Sequence, residues 1–244
     1  MKKDASFNKL LRTESPKFSF SSGFSACKYN QDYFQKRDAL PLHFAQTLEL
    51  LLKEIGVKKI LDVGCGTGRL VKFLKENGFE ALGCDISDEA IKLSGQIKAS
   101  ACALPFRKKS FEAVTAVSLI EHLKPNEAEK FLSEAERVLK PKGYLFLVTP
   151  NFWSLARVLK RKKWFGYTDP THLQFYSPFS LKRLLKKCHF SNFRFRFKVD
   201  QKTPSDWPIP LPRLPQIFQF LLNYLLISSP LAYLRDSFWL LAQK

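Results

Sequence analysis

The 244-residue sequence has no Cys-x-x-Cys pair and no nearby histidine pattern that could form a zinc site. Its five cysteines, Cys27, Cys65, Cys84, Cys102 and Cys188, therefore suggest no zinc site, no metal is expected, and a reducing compartment fits best. No apolar run precedes Ser15, so no secretory signal is expected and residence is read as cytoplasmic, with peripheral contact at the inner membrane face left open. Acid is scarce: 22 Asp+Glu stand against 40 Lys+Arg, a net charge of +18. That balance draws a chain towards anionic partners such as nucleic acid, acidic headgroups or phosphorylated substrates, although a lysine-rich surface also serves solubility. No internal repeat is present. What the chain does have is 45% apolar residues, enough for a real core, so general disorder is excluded.

Residues 1–26 carry Ser, Lys and scattered Phe without periodicity and read as a flexible amino-terminal arm. From there, 27–244 read as one domain. A helical face over 38–55 leads into strands over 59–63, 80–84, 97–99, 111–117 and 144–149. Helices over 70–78, 88–94 and 126–139 separate them, and another opens at Ser177-Pro178. Strands alternating with helices predict a three-layer α/β fold with a parallel sheet covered on both faces. Residues 193–199 and 237–242 complete an expected seven strands, the last antiparallel beside 193–199. Two insertions interrupt the scheme: an aromatic and basic lid over 151–176, and a proline-rich, then hydrophobic, stretch over 203–235.

Gly64, Gly66 and Gly68 follow the first strand on alternate positions and open a helix. Without a Cβ the backbone can pass close to a ligand, and the helix start offers free amides. Asp85 ends the second strand about 20 residues after Gly64, the place from which a carboxylate grips a ribose diol. Capping the helix that starts at Ser87 or Asp88 is its structural alternative. Arg69 spoils the G-x-G-x-x-G/A dinucleotide pattern, and no Gly-Lys-Ser/Thr follows, which excludes a phosphate loop.

The run Leu61-Asp62-Val63-Gly64-Cys65-Gly66-Thr67-Gly68 resembles the class I S-adenosylmethionine-dependent methyltransferases, in particular their small-molecule, ubiquinone-biosynthesis-like branch. Leu82-Gly83-Cys84-Asp85-Ile86-Ser87, Leu104-Pro105-Phe106, Ile120-Glu121-His122-Leu123 and Leu139-Lys140-Pro141-Lys142-Gly143-Tyr144 extend the resemblance. It implies a Rossmann-like sheet and S-adenosyl-L-methionine as cofactor. It further implies that Gly64, Cys65, Gly66 and Gly68 border the methionine end, that Asp62 orients its amino group, that Asp85 holds the ribose and that Ile86 lies against the adenine. Many relatives carry Asp where this chain has Ser100, followed by Ala101 and Cys102, so the adenine contact falls to a hydroxyl or to backbone groups. Tyr29 and Tyr33 resemble aromatic residues that close over the cofactor in some relatives.

Methyl transfer is an in-line displacement that needs alignment, with a base only for a hydroxyl acceptor. Ser118, Glu121 and His122 follow the fourth strand, where open α/β sheets hold ligands. His122 is a candidate base with Glu121 positioning it, or the pair shapes the pocket wall; His172, in the lid, is the second candidate. His43 and His189 lack such a setting. No Asn/Asp-Pro-Pro-aromatic run follows the fourth strand and no cysteine sits to attack a cytosine, so an oxygen acceptor on a small or lipid-linked metabolite is favoured. An RNA-modifying enzyme and a non-catalytic cofactor-binding protein are the alternatives. The run Arg157-Val158-Leu159-Lys160-Arg161-Lys162-Lys163, together with 203–235, suggests contact with an anionic membrane, or else core packing of the latter stretch.

Overall fold

A computed structural model describes residues 10–12, 33–34, 40–195, 218 and 230–244. Helix α1 (Leu42–Glu54) buries Phe44, Leu48, Leu51 and Leu52 on one stripe. It leads into β1 (Lys59–Val63), α2 (Arg69–Glu76), β2 (Glu80–Asp85), α3 (Asp88–Ser94), β3 (Ile97–Lys98) and β4 (Phe111–Val117). A 3₁₀ turn (Ile120–His122) precedes α4 (Pro125–Val138), which is followed by β5 (Leu139–Pro150). Beyond lie α5 (Leu155–Lys160), a 3₁₀ turn (Arg161–Lys163), α6 (Phe165–Thr168), α7 (Pro178–Lys187), β6 (Ser191–Arg194), a 3₁₀ segment (Pro230–Leu234) and β7 (Ser237–Gln243).

The described strands form one seven-stranded sheet in the order β3-β2-β1-β4-β5-β7-β6. β1 to β5 run parallel, and β7 is antiparallel to both β5 and β6, as the pattern predicts. Strand period 2 divides the core: Leu145 and Leu147 face the layer of Phe131, Leu132 and Leu181, while Phe146 faces that of Leu48, Leu51 and Val71. The sixth strand starts two residues earlier than its aromatic alternation indicates, at Ser191, and residues 196–199 lie outside the described residues. The helix stops at Val138, and Lys140-Pro141-Lys142-Gly143, expected as a turn before a strand over 144–149, lies within β5, where the pairing bulges between Phe111↔Leu139 and Ala113↔Tyr144.

Of the expected arm, residues 10–12 are described. Leu11 bridges Phe106, and the Arg12 guanidinium meets Glu134 at 3.2 Å. Tyr29 and most of 203–235 lie outside the described residues, and the membrane reading of that stretch with them. Among the described residues no helix is long and apolar enough to cross a membrane.

The insertion over 151–176 packs as a cap. Its two ends are fastened by the Asn151↔Tyr176 bridge and by Phe152 N donating to Tyr176 O at 2.8 Å. Trp164, fully buried, anchors its middle and donates from Nε1 to Asp236 Oδ1 at 2.8 Å. Trp164→Ala should leave a cavity and an under-satisfied carboxylate, lowering stability by about 3–5 kcal/mol in urea unfolding; a loss below about 1 kcal/mol would show that the cap carries no fold energy.

Candidate active site

The loop after β1 is shaped by positive backbone angles. Gly64 has φ +73°, and a Cβ there would stand 2.9 Å from Leu119 Cδ1. Gly68, at φ +77°, is the residue from which α2 starts. Gly64 N and Cys65 N both donate to Cys84 O, which fixes the loop against the end of β2. Asp85 completes it: Oδ2 accepts from Gly66 N and Oδ1 from Ser87 N, each at 2.9 Å. Burial raises the Asp85 pKa, and the amides of Ser87, Gly66 and Ile86 partly offset that. Asp85 is not the cap of α3; Ser87 is, through Oγ accepting from Ala90 N. Each carboxylate oxygen keeps a lone pair beyond its amide bond, which suits a diol.

Asp62, buried in β1, accepts from Thr115 Oγ1 at 2.7 Å across the β1/β4 pairing. Cys65 contributes backbone only: its side chain packs in the core beside Val71 and Gly83, and burial raises the thiol pKa, as it does for Cys84. Ile86 is half-buried beside Asp85. Ser100 turns the chain, its Oγ accepting from Cys102 N at 3.2 Å, so the hydroxyl at the relatives' Asp position serves the turn. Ala101 and Cys102 are half-buried there, and Cys102 Sγ donates to Glu127 O.

Across the sheet edge, Ser118 leaves β4 at φ +50°, a conformation costing roughly 1–3 kcal/mol for a non-glycine residue. The turn it starts buries Glu121 and His122. Glu121 O accepts from Leu173 N and Gln174 N at 2.7 and 3.0 Å, binding the cap to the sheet. Its Oε2 accepts from Thr149 Oγ1 at 3.0 Å, whereas Oε1 is buried with no hydrogen-bond partner among the described residues. Burial, then the nearby Asp169 charge, outweighs the hydrogen bonds and pushes the Glu121 pKa up to about 8.

The ring nitrogens can be assigned from their partners. Thr171 Oγ1 spends its proton on Asp169 Oδ1 at 2.5 Å, so at His122 Nδ1, 3.0 Å away, it is an acceptor. His122 Nδ1 therefore carries the proton and Nε2 the lone pair. His172 Nδ1 donates to Gly166 O at 2.7 Å, and its Nε2 faces Asp169 Oδ2 at 3.7 Å. The two rings sit 4.8 Å apart by centroid. One ligand atom from each of Glu121, His122 and His172 lies within 4.8 Å of the others. The sequence spacing gave no sign of a metal-binding group; folding the cap onto the sheet edge creates one, because His172 is far from the other two along the chain. Asp169, Thr171 and Thr149, which hold the cluster, were missed for the same reason. Beside it a cavity of about 330 Å³ is lined by Ser118, Val148, Thr149, Pro150, Phe165, Asp236 and Ser237.

A parallel sheet that carries a glycine loop and an acid on neighbouring strand ends, with a capped cavity at the same edge, defines an α/β protein built to hold a nucleoside-like ligand against a second molecule. A family model described as "Methyltransferase domain" matches residues 34–193. The chain belongs to this family, within the class I S-adenosylmethionine-dependent methyltransferases. It is 32% identical over 142 residues to an uncharacterized protein of Methanocaldococcus jannaschii, covering 53% of this chain and 61% of that one. The mitochondrial ubiquinone biosynthesis O-methyltransferase of Rattus norvegicus is 35% identical over 122 residues, 44% of this chain and 35% of the relative. The chain thus spans between about a third and three-fifths of these relatives' lengths. Among solved structures, a SAM-dependent methyltransferase from Archaeoglobus fulgidus shares the fold at TM-score 0.57 and 23% identity, covering 87% of this chain and 98% of the other. Phosphoethanolamine N-methyltransferase 2 of Haemonchus contortus, in complex with S-adenosyl-L-methionine, does so at TM-score 0.54 and 18% identity, covering 82% and 52%.

Glu121 supplies a pH test. Between about pH 4.5 and 8 the folded chain keeps on Glu121 a proton that the unfolded chain has released, so the Glu121 contribution to stability falls as pH rises through that window and is constant outside it. The slope reaches about 1.4 kcal/mol per pH unit. In chelator-treated protein, Glu121→Gln should remove that component from urea unfolding across the window; identical slopes in both chains would contradict the assignment.

Proposed function

We propose that this chain transfers the methyl group of S-adenosyl-L-methionine to an oxygen of a small or lipid-linked acceptor. The observation that carries the reading is the meeting of Glu121, His122 and His172 at the sheet edge that also bears the glycine loop and Asp85. In this reading the surface of the glycine loop, whose Gly64, Cys65, Gly66 and Gly68 amides are bonded within the protein and so are not the free donors expected from the sequence, receives the methionine end together with Asp62, Asp85 receives the ribose, and Ile86, Ala101 and Cys102 flank the adenine. The acceptor occupies the cavity beside Ser118. His122 Nε2, opposite its bonded Nδ1, takes the acceptor's proton as the new C–O bond forms and the C–S bond breaks. Thr171 and Asp169 hold the ring, and the displaced product is S-adenosylhomocysteine. The similarity to ubiquinone biosynthesis O-methyltransferases supports an oxygen acceptor.

A second reading is favoured by one specific observation, the buried Glu121 Oε1 that has no hydrogen-bond partner among the described residues. Glu121, His122 and His172 would hold a divalent cation. Such an ion supplies Lewis acidity that eases loss of the acceptor's proton. The cap supports a contact with anionic lipid as well: Trp153, Val158, Leu159 and Phe165 are exposed among Arg157, Lys160, Arg161, Lys162 and Lys163.

Asp85→Ala should weaken S-adenosylmethionine binding in calorimetry by at least roughly 10-fold, the effect of losing a charge-assisted hydrogen bond. His122→Ala should lower kcat by roughly 10²–10⁴-fold while cofactor affinity holds. Turnover that survives chelation supports the base, and turnover lost to chelation and restored by a divalent cation supports the second reading. Full turnover in His122→Ala would refute both. Flotation on phosphatidylglycerol vesicles but not phosphatidylcholine vesicles is the expected result for the membrane contact; equal flotation would contradict it.

A further inference from the structure

Asp236 stands between the 3₁₀ segment and β7, on a backbone that is clamped from both sides. Asn151 Nδ2 donates to Tyr233 O and Arg235 O at 2.7 and 2.8 Å, and Asn151 N donates to Asp236 O at 2.8 Å. The carboxylate itself is oriented through one oxygen. Ser154 Oγ at 2.6 Å and Trp164 Nε1 at 2.8 Å both donate to Oδ1, and among the described residues no hydrogen bond reaches Oδ2. Ser154 and Trp164 are fully buried, so this is a fixed acceptor rather than a swinging surface group.

Asp236 also lines the cavity beside Ser118 and is the one charged side chain among the described residues that do so. The other walls are apolar at Val148, Pro150 and Phe165 and carry hydroxyls at Ser118, Thr149 and Ser237. A carboxylate in such a wall accepts hydrogen bonds only, and it repels a second carboxylate or a phosphate at short range. An ammonium group satisfies it, and Phe165 lines the same cavity.

We propose that Asp236 is a specificity-determining residue that selects acceptors bearing a protonated amine and rejects acceptors bearing a carboxylate or phosphate in its place. The inference rests on the reading of this cavity as the acceptor site. It says nothing of which atom is methylated.

Three catechols that differ only in their side group test it: dopamine, 4-methylcatechol and 3,4-dihydroxybenzoate, titrated by calorimetry into the full chain saturated with S-adenosylhomocysteine. Affinity should fall in that order, with dopamine roughly 10- to 100-fold tighter than the benzoate, the range of a hydrogen bond between charged groups. Asp236→Asn keeps an oxygen for Ser154 and Trp164 and places an amide at the other position. It should bring the two charged ligands within about threefold of each other, a residual set by neutral hydrogen bonding. Ser237→Lys, which adds a cation to the same wall, should reverse the order, and it serves where the asparagine variant does not fold. Equal affinities in the wild type, no binding of any catechol, or a preference that survives both substitutions would overturn the proposal. If the wild-type chain fails to bind S-adenosylhomocysteine, the methyltransferase reading falls with it; if it binds that product and shows no preference, only the role of Asp236 falls.

Discussion

The carbonyl of Glu121 accepts the amides of Leu173 and Gln174, and its carboxylate is buried against Thr149. These bonds fix the cap over the carboxyl edge of the sheet, and the architecture of the site depends on that attachment. It sets His172 beside His122, brings Asp169 and Thr171 behind the His122 ring, and closes one side of the cavity at Phe165. The attachment is made by main-chain atoms. The side chain of Glu121 is thereby left to chemistry instead of cohesion, with one oxygen satisfied and the other open.

In the proposed reading the cofactor half and the acceptor half of the site are built on different physics. The cofactor half is a backbone device: positive angles at Gly64 and Gly68 turn the chain, and Asp85 braces the turn by accepting from Gly66. The acceptor half is a side-chain device, assembled from the ends of β4 and β5, the cap and the start of β7. It concentrates ionisable groups under low exposure, and burial there keeps Glu121 protonated further up the pH scale than an ordinary glutamate. Such perturbed groups gather where proton transfer or ion binding occurs.

The division explains what could be read from the sequence. The glycine loop, Asp85 and the succession of strands and helices along the chain are encoded in local spacing and in periodicity, and the structure has them where the pattern indicates. Cys65 lies in the loop between two left-handed glycines, and periodicity does not report that its side chain packs into the core. The partnership of His122 with Thr171 spans 49 residues, and that of Trp164 with Asp236 spans 72. No motif records such pairs, because they arise only when the cap folds back and β7 inserts between β5 and β6. Asp236 looks like an ordinary loop acid until its two buried donors are seen.

A crystal structure of the chain grown with S-adenosylhomocysteine tests the central claim most directly. The account predicts ribose hydroxyls within hydrogen-bond reach of Asp85, amino-acid density over residues 64–68, and the sulfur facing the cavity beside Ser118. Density for the ligand elsewhere, or a loop closed against it at saturating concentration, would contradict the account.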